Sequence, residues 1–418
     1  MTHESFFGLA WPGKQAAAAQ ATASATWRII PRRAGGSRTL PEVLHNSLTA
    51  GDNLEFLTLL REPWRESVDV IYIDPPYNTG RDFIYKDNYR SRREHNSSDH
   101  GRWHAQWLSM MFPRLIVARE FLKPSGFICI SIGEDEVANL RKVADEVFGE
   151  ECFAGQLIWK KAGTGKNDSR YAVVEHEYVL VYAKSVDNPG FNLDRGGVKT
   201  TRYNHSDSKG RYSLVRLDSK TLGYLSSLDF PITGPDGKTY WPDQPAGKDK
   251  VARWRWGREK VQEHGAELVF RRGFVYTKNY ESAGAKPRSI LDGARFGVTR
   301  TGRKDAEAAL GIVGIFEFPK PVGLVKHLID ICGPSDAVVM DFFAGSGTTA
   351  QAVVELNAED GGQRTFHMVQ IPQPTDTKSV AYAEGFTTVF DICLARTQSV
   401  CANHGVNLDV FDTEPITD

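Results

Sequence analysis

The run from Val68 to Ile73, followed at once by Asp74-Pro75-Pro76-Tyr77, most narrows what this chain can fold into. Its apolar, mostly β-branched residues suit a buried strand, and two prolines in succession stop that strand abruptly. A strand buried on both faces needs neighbouring strands and covering helices, and the flanking sequence supplies them. Gly126 opens a second apolar run, Phe127 to Ile132. Glu134 to Phe148 then places Val137, Leu140, Val143, Ala144 and Val147 at helical spacing. Trp103 to Leu122 reads as a helix with Pro113 as a kink or break. Gln156 to Trp159 and Tyr178 to Tyr182 read as two more strands, antiparallel neighbours. Upstream, Ser47 to Ala50 leads into Gly51-Asp52-Asn53 and a helical stretch from Leu54 to Leu60. Downstream, the pattern predicts helices at Val322–Ile331, Ala350–Leu356 and Thr387–Cys401, and strands at Ala337–Met340 and Thr365–Gln370. Such alternation predicts an α/β fold whose mainly parallel sheet carries helices on both faces.

The alternation lapses from about Asp187 to Phe316, where Gly, Pro, Trp, Tyr and Arg increase. We read residues 187–316 as a domain inserted between the two parts of the sheet domain, 45–186 and 317–402. An arm (1–44), Ala/Gln/Thr/Ser-rich and mainly basic, with Glu4 and Glu42 as its acids, precedes them, and a tail (403–418) follows. A length of 418 residues fits two or three domains. The formal net charge is only -1, so no global field draws the protein to a polyanion, yet residues 241–305 hold 15 Lys/Arg against 8 Asp/Glu. That segment is either a solvated face or a polyanion-binding face. The five cysteines lie apart, without metal-ligand spacing, and suit a reducing cytoplasm. No window is apolar enough for a membrane span, and the N-terminal residues do not read as a signal peptide. We therefore expect no metal and no membrane.

Three segments carry chemistry. Asp74-Pro75-Pro76-Tyr77 sits where an open α/β sheet gathers ligands, at the C-terminal end of a strand. A carboxylate and a prolyl carbonyl can accept the two N–H bonds of an exocyclic amine whose lone pair is delocalised into a ring. Rigid prolines keep those acceptors in place, and Tyr77 can stack on a base turned out of a duplex. Asp341-Phe342-Phe343-Ala344-Gly345-Ser346-Gly347-Thr348-Thr349-Ala350 reads as strand, glycine turn and helix. Its glycines admit a cofactor close to the backbone, and the helix start favours a carboxylate. Gly345, Gly347 and Ala350 also satisfy the dinucleotide pattern G-x-G-x-x-A, so a nicotinamide enzyme is an alternative, but one that leaves the Asp-Pro-Pro-Tyr loop unexplained. Asp52, after a short strand, is either a loop-capping residue or an acceptor for a cofactor's adenine.

In this order, with the basic insertion between the Asp-Pro-Pro-Tyr and glycine loops, these segments resemble the β group of amino-methylating DNA methyltransferases, a methyltransferase sheet cut between its second and third strands. The likeness extends through Asp74 to Gly80, Trp107 to Met111, His176 to Tyr182, Arg253 to Trp256, Phe318 to Val322 and Glu359 to Gly362, which resemble the modification subunits of type III restriction-modification systems. The resemblance implies a Rossmann-like sheet with permuted strand order, an inserted target-recognition domain, and methyl transfer from S-adenosylmethionine to the 6-amino group of adenine in duplex DNA. Asp rather than Ser at the first loop position leans towards adenine over the amino group of cytosine; RNA or protein substrates are further alternatives. It assigns Asp74, Pro75, Pro76 and Tyr77 to the target base, and Asp52, Lys320, Pro321, Asp341, Phe343, Gly345, Gly347, Thr348, Thr349 and Gln370 to the cofactor. Gln370 departs from the family, many of whose members carry an acid there to hold the ribose. The implied partners are duplex DNA, a second copy of the chain and a restriction subunit. Within the insertion, Arg253, Arg255, Arg258, Arg271 and Arg272 are the expected DNA contacts, while Trp254 and Trp256 are more readily domain core.

Overall fold

The computed structural model describes residues 8–32, 45–79, 102–162, 171–197, 202–246 and 249–416. Residues 1–7 and 33–44 of the arm, and Gly80, lie outside them. The chain divides into two compact units, one built from residues 1–192 and 286–418 and the other from Leu193–Ala285.

The first unit is organised on a ten-stranded sheet. We number its strands β1 (Trp27–Pro31), β2 (Asn46–Ala50), β3 (Val68–Ile73), β4 (Leu122–Ile132), β5 (Phe153–Lys160), β6 (His176–Ala183), β7 (Ile290–Leu291), β8 (Val338–Asp341), β9 (Thr365–Gln370) and β10 (Leu408–Pro415). Their spatial order is β1-β10-β2-β9-β8-β3-β4-β6-β5-β7. From β10 to β4 every neighbouring pair is parallel, with Val70 of β3 opposite Val339 of β8. The β4–β6, β6–β5 and β1–β10 pairs are antiparallel, as expected for β5 and β6.

Every residue of β3 is buried. The helices Asn53–Leu60, Arg102–Phe121 and Val137–Phe148 pack on one face through Phe56, Leu57, Trp107, Leu115, Leu140 and Val143. Val322–Cys332, Thr348–Asp360 and Val389–Asn403 cover the other through Leu324, Leu328, Val353 and Phe390. Pro113 does not break its helix. The helix after β3 therefore lies on one face and the helix after the adjacent β8 on the other. Adjacent strands that send their helices to opposite faces open a crevice at their C-terminal ends, where ligands of such sheets bind.

Two expected boundaries move. The compact insertion is Leu193–Ala285 rather than 187–316, because residues 286–316 return to the sheet unit: β7 pairs with β5, and the helix Thr299–Leu310 packs beside the helix Val389–Asn403. The supposed tail contains β10, and the arm contains β1. These two strands join through matched charges, Arg28 Nε donating to Glu414 at 2.6 Å and Arg32 forking onto Asp412 at 2.7–3.1 Å.

The inserted unit carries a four-stranded antiparallel sheet in the order Leu268–Arg271, Phe274–Tyr280, Gly210–Arg216, His205–Asp207. Its small core is Leu217, Phe230, Ile232, Trp254 and Val275. Trp254 is thus core, as expected, and its Nε1 donates to the Phe230 carbonyl at 2.7 Å.

Candidate active site

A cavity of about 300 Å³ opens at the C-terminal end of β3, lined by Asp74, Pro75, Pro76, Tyr77, Trp159, Lys161, Glu177 and Phe316 to Lys320, among others. Three kinds of strand end bring these residues together. The Asp74–Tyr77 loop leaves β3. Trp159 and Lys161 lie at the end of β5. Glu177 lies at the start of β6, which runs the opposite way and so presents its first residues at the same edge.

The loop is held from behind. Trp107 Nε1 donates to the Pro76 carbonyl at 2.6 Å, which commits that acceptor and leaves Pro75 as the prolyl carbonyl to consider for a ligand. Asn78, with φ of 58°, donates to the buried Glu136 carboxylate, which also meets His104 at 2.6 Å. A side chain in left-handed backbone costs about 1 kcal/mol, and here the buried hydrogen bonds offset it.

Inside the cavity four charges alternate. Lys320 Nζ donates to both Asp74 carboxylate oxygens, at 2.9 and 2.8 Å, and stands 3.4 Å from Glu177 Oε2. Lys161 Nζ donates to Glu177 Oε1 at 3.2 Å, and the Tyr77 hydroxyl to Oε2 at 3.0 Å. The ammonium of Lys320 also lies 4.8 Å from the centre of the Tyr77 ring. The Asp74 side chain remains 27 % accessible, so a ligand in the cavity can reach it. Burial raises the pKa of Asp74, with Lys320 pulling the other way. Burial opposes ionisation of Glu177 too, but Lys320, Lys161 and the Tyr77 hydroxyl outweigh it and hold that carboxylate below its usual range. Burial, then the charges of Asp74 and Glu177, push the Tyr77 phenol well up, so it stays a neutral donor.

The glycine loop lies on the neighbouring strand end. Asp341 closes β8 and accepts from the Phe343 amide at 2.9 Å and from the Thr349 hydroxyl. Gly345 and Gly347 take φ of 56° and 84°, a region that side chains enter only at a cost. The Gly345 amide donates to Gln370 Oε1 at 2.7 Å, and Gln370 Nε2 to the Ile371 carbonyl at 3.0 Å. Gln370 therefore braces the loop from beneath. Thr349 is likewise a brace. Phe343 and Gly345 are the half-buried members of the loop, and Pro321 is buried before the helix Val322–Cys332. Lys320 joins the two loops: its carbonyl accepts from Thr348 Oγ1 at 3.3 Å, while its ammonium pairs with Asp74. Asp52 caps the helix Asn53–Leu60 through the amides of Leu54 (2.8 Å) and Glu55 (3.2 Å), and its second oxygen pairs with Arg114 at 3.0 Å. The next residue connects it to the glycine loop, as Asn53 Nδ2 donates to the Phe342 carbonyl at 2.7 Å.

Burial raises Asp341 to about 7, with Thr349 and the Phe343 amide opposing. A folded-state pKa above the unfolded value means that the folded protein binds the extra proton. This contribution to stability is complete below about pH 4 and is lost as pH rises through about 7. Asp341→Asn is expected to flatten the fall of unfolding free energy across that window in denaturant titrations. An unchanged slope would show that Asp341 is ionised throughout.

Sequence reasoning did not single out Lys161, Glu177 or Arg396 as functional. Arg396 is fully buried and donates to Ser346 (2.8 Å), Thr348 (3.0 Å) and Gln351 (2.8 and 2.9 Å), bracing the glycine loop. Burial lowers its pKa to about 10, so it remains a cation at neutral pH. Among the described residues no group of His, Cys, Asp or Glu could hold a metal ion, and no helix is long and apolar enough to cross a membrane.

Of the arginines expected to meet DNA, Arg255, Arg258, Arg271 and Arg272 are exposed, and Arg253 is half-buried beside Trp254. Arg258 lies 4.5 Å over the Phe230 ring. Arg271 and Arg272 line a concavity of about 340 Å³ in the inserted unit with Arg202, Asn204, His205, Ser213, Leu214 and Tyr276. Other cations of the inserted unit are paired, Lys278 with Asp207, Arg216 with Asp218 and Lys250 with Asp229. No carboxylate lies within ion-pair distance of Arg202, Arg271 or Arg272 among the described residues.

Comparison with known proteins agrees with this architecture. The chain is 34% identical over 381 residues to the type II methyltransferase M.KpnI of Klebsiella pneumoniae, covering 86% of this chain and 88% of that protein. It is 33% identical over 418 residues to the StyLTI Mod subunit of a type III restriction-modification enzyme from Salmonella typhimurium. It is also 33% identical over 405 residues to the EcoPI Mod subunit of Escherichia phage P1. It spans 63% and 62% of the length of those two subunits. The family described as DNA methylase, of N6 and N4 type, matches residues 68–371, from the first residue of β3 to just past β9 and so across both loops. The chain belongs to this DNA methylase family.

Proposed function

We propose that this protein methylates the 6-amino group of adenine in duplex DNA, with S-adenosylmethionine as donor. The observation that carries the proposal is the pairing of two loops at one crevice. The Asp74 carboxylate faces a cavity beside an aromatic ring, and a left-handed glycine turn lies at the end of the adjacent strand. The cavity suits the target base: its walls offer the Tyr77, Trp159 and Phe318 rings for stacking and carboxylates for an amine. The donor supplies an electrophilic methyl group. Phe343, Gly345 and Gly347 would hold it, with Asp341, Thr349, Gln370 and Arg396 keeping the loop in shape.

The residues of the chain then work by positioning and electrostatics. A flipped adenine stacks on Tyr77. Asp74 and the Pro75 carbonyl accept its two N–H bonds, which turns the nitrogen lone pair out of the ring. After transfer, the surplus proton on nitrogen is shed towards Asp74, whose raised pKa suits it to receive one. Sequencing that detects methyladenine, on DNA from a methylation-free host expressing the protein, tests the reading. Methyladenine at one short motif is expected, whereas methylcytosine alone would move the substrate to the cytosine amino group.

We extend the proposal to partners: duplex DNA, a second copy of the chain, and a restriction subunit of the kind the Mod relatives' names imply. Support for DNA comes from the cations of the Arg202, Arg271 and Arg272 concavity, which suit phosphate oxygens. Arg272 adopts φ of 52° in a two-residue hairpin turn with Gly273, where Asn would fit with less strain. The double variant Arg271→Ala/Arg272→Ala is expected to weaken DNA binding and reduce the slope of log K against log salt by roughly 2. An unchanged slope in a fluorescence-anisotropy titration would remove these residues from the interface.

A further inference from the structure

Asp74 is already engaged. Both of its carboxylate oxygens accept from Lys320 Nζ, at 2.9 and 2.8 Å, so an adenine amine would have to share an oxygen that a charged donor already weakens as an acceptor. An ammonium cannot simply be dropped into a cavity with apolar walls, because an unpaired buried charge costs several kcal/mol. It needs a second anion within reach, and the structure holds one. Glu177 Oε2 lies 3.4 Å from Lys320 Nζ on the side away from Asp74's strand, at the start of β6.

We propose that Glu177 is a positioning residue that takes over the Lys320 ammonium when adenine enters, freeing Asp74 for the amine. The inference rests on the adenine reading and names how its site is cleared. The groups facing Lys320 fit this exchange. Asp74 and Tyr77 come from the catalytic loop, Glu177 from β6, and Trp159 from β5, its ring centre 5.9 Å from the ammonium. Lys161 faces Glu177 from the end of β5, and the Asp74 charge in turn acts on Tyr72 and Asp341 in the sheet behind. With two carboxylates and two ammonium groups the cluster has no net charge before or after a neutral base arrives, so the exchange moves a hydrogen-bonded cation without creating a new charge. Glu177 is prepared for it. Lys161 on Oε1 and the Tyr77 hydroxyl on Oε2 fix the carboxylate in place, and the neighbouring cations keep it ionised despite burial. Lys320 is likewise held in its charged form by Asp74 and Glu177 against the effect of burial.

Glu177→Gln separates this role from mere packing. Glutamine keeps the volume and an acceptor for Tyr77 but removes the anion, so Lys320 stays on Asp74. Single-turnover methylation near neutrality is expected to fall about tenfold to a hundredfold, with S-adenosylmethionine affinity within about twofold of wild type. With one anion gone, Lys320 loses its proton at lower pH, and neutral Lys320 competes poorly for Asp74. The variant's rate should therefore rise with increasing pH while the wild-type rate stays level. Glu177→Asp, which restores the charge, should recover part of the loss. A Gln variant as fast as wild type, a loss that does not change with pH, or Asp and Gln variants equally slow would each overturn the proposal. Wild-type protein that binds S-adenosylmethionine but leaves adenine unmethylated in the same assay would instead sink the underlying reading.

Discussion

Asp74→Ala should lower turnover by about 10³-fold or more while leaving S-adenosylmethionine binding near wild type. The size follows from what the carboxylate does: it is the charged acceptor for the amine and the one reactive anion of the loop that the cavity exposes. Its removal does not strand Lys320, which keeps Glu177 3.4 Å away, so the cavity should persist and the protein should melt within a few degrees of wild type. Asp74→Asn keeps an acceptor oxygen but no charge and should fall between the two. Calorimetric cofactor titration beside a methyl-transfer assay separates binding from chemistry. An alanine variant retaining more than about a tenth of the turnover would show that another group holds the amine.

The second large effect is expected at Gly347. The residue has φ of 84°, and a Cβ there would stand 3.0 Å from Thr397 Oγ1 and 3.2 Å from the Cys393 carbonyl. Valine would meet both the left-handed penalty and, through its branched Cβ, a wall that includes backbone. Strain of about 1–3 kcal/mol, relieved by displacing the loop, translates into a loss of roughly tenfold to a hundredfold in cofactor affinity. Alanine, with less bulk, should lose less. Cofactor affinity unchanged in Gly347→Val, in a protein that still folds, would place the donor away from this turn.

The chemistry of the site was legible where it depends on rare local patterns. Two prolines after an apolar run mark the end of β3, and a glycine turn after Asp341 marks the end of β8. What the sequence obscured depends on long-range placement. Glu177 sits in His176-Glu177-Tyr178, which reads only as the entry to a strand. It becomes part of the site because β6 runs antiparallel to β4 and returns its first residues to the cavity edge. Arg396 lies in a helix whose other polar residues suggest a solvated face, and nothing local indicates that it is fully buried against Ser346 and Thr348. The resemblance assigns Lys320 to the cofactor, and its pairing with Asp74 depends on the reach of a long side chain, which the local sequence does not show. The acidic strand β10, with Asp409, Asp412 and Glu414, falls within the expected tail. Its partner was the basic arm, where Arg28 and Arg32 supply the complementary charges.

The pairing of β3 with β8 also has a consequence for how the chain is made. The two strands touch along Val70–Val339 and Ile71–Met340, but the entire inserted unit is synthesised between them. At about 5–20 residues per second, a ribosome leaves the apolar edge of β3 without its neighbour for roughly 15–50 s. During that interval the first half of the sheet is a nascent surface that other chains could pair with. Slowing translation within the insertion should therefore lower the soluble yield and increase chaperone dependence, whereas co-expressing the later half in trans should shorten the wait.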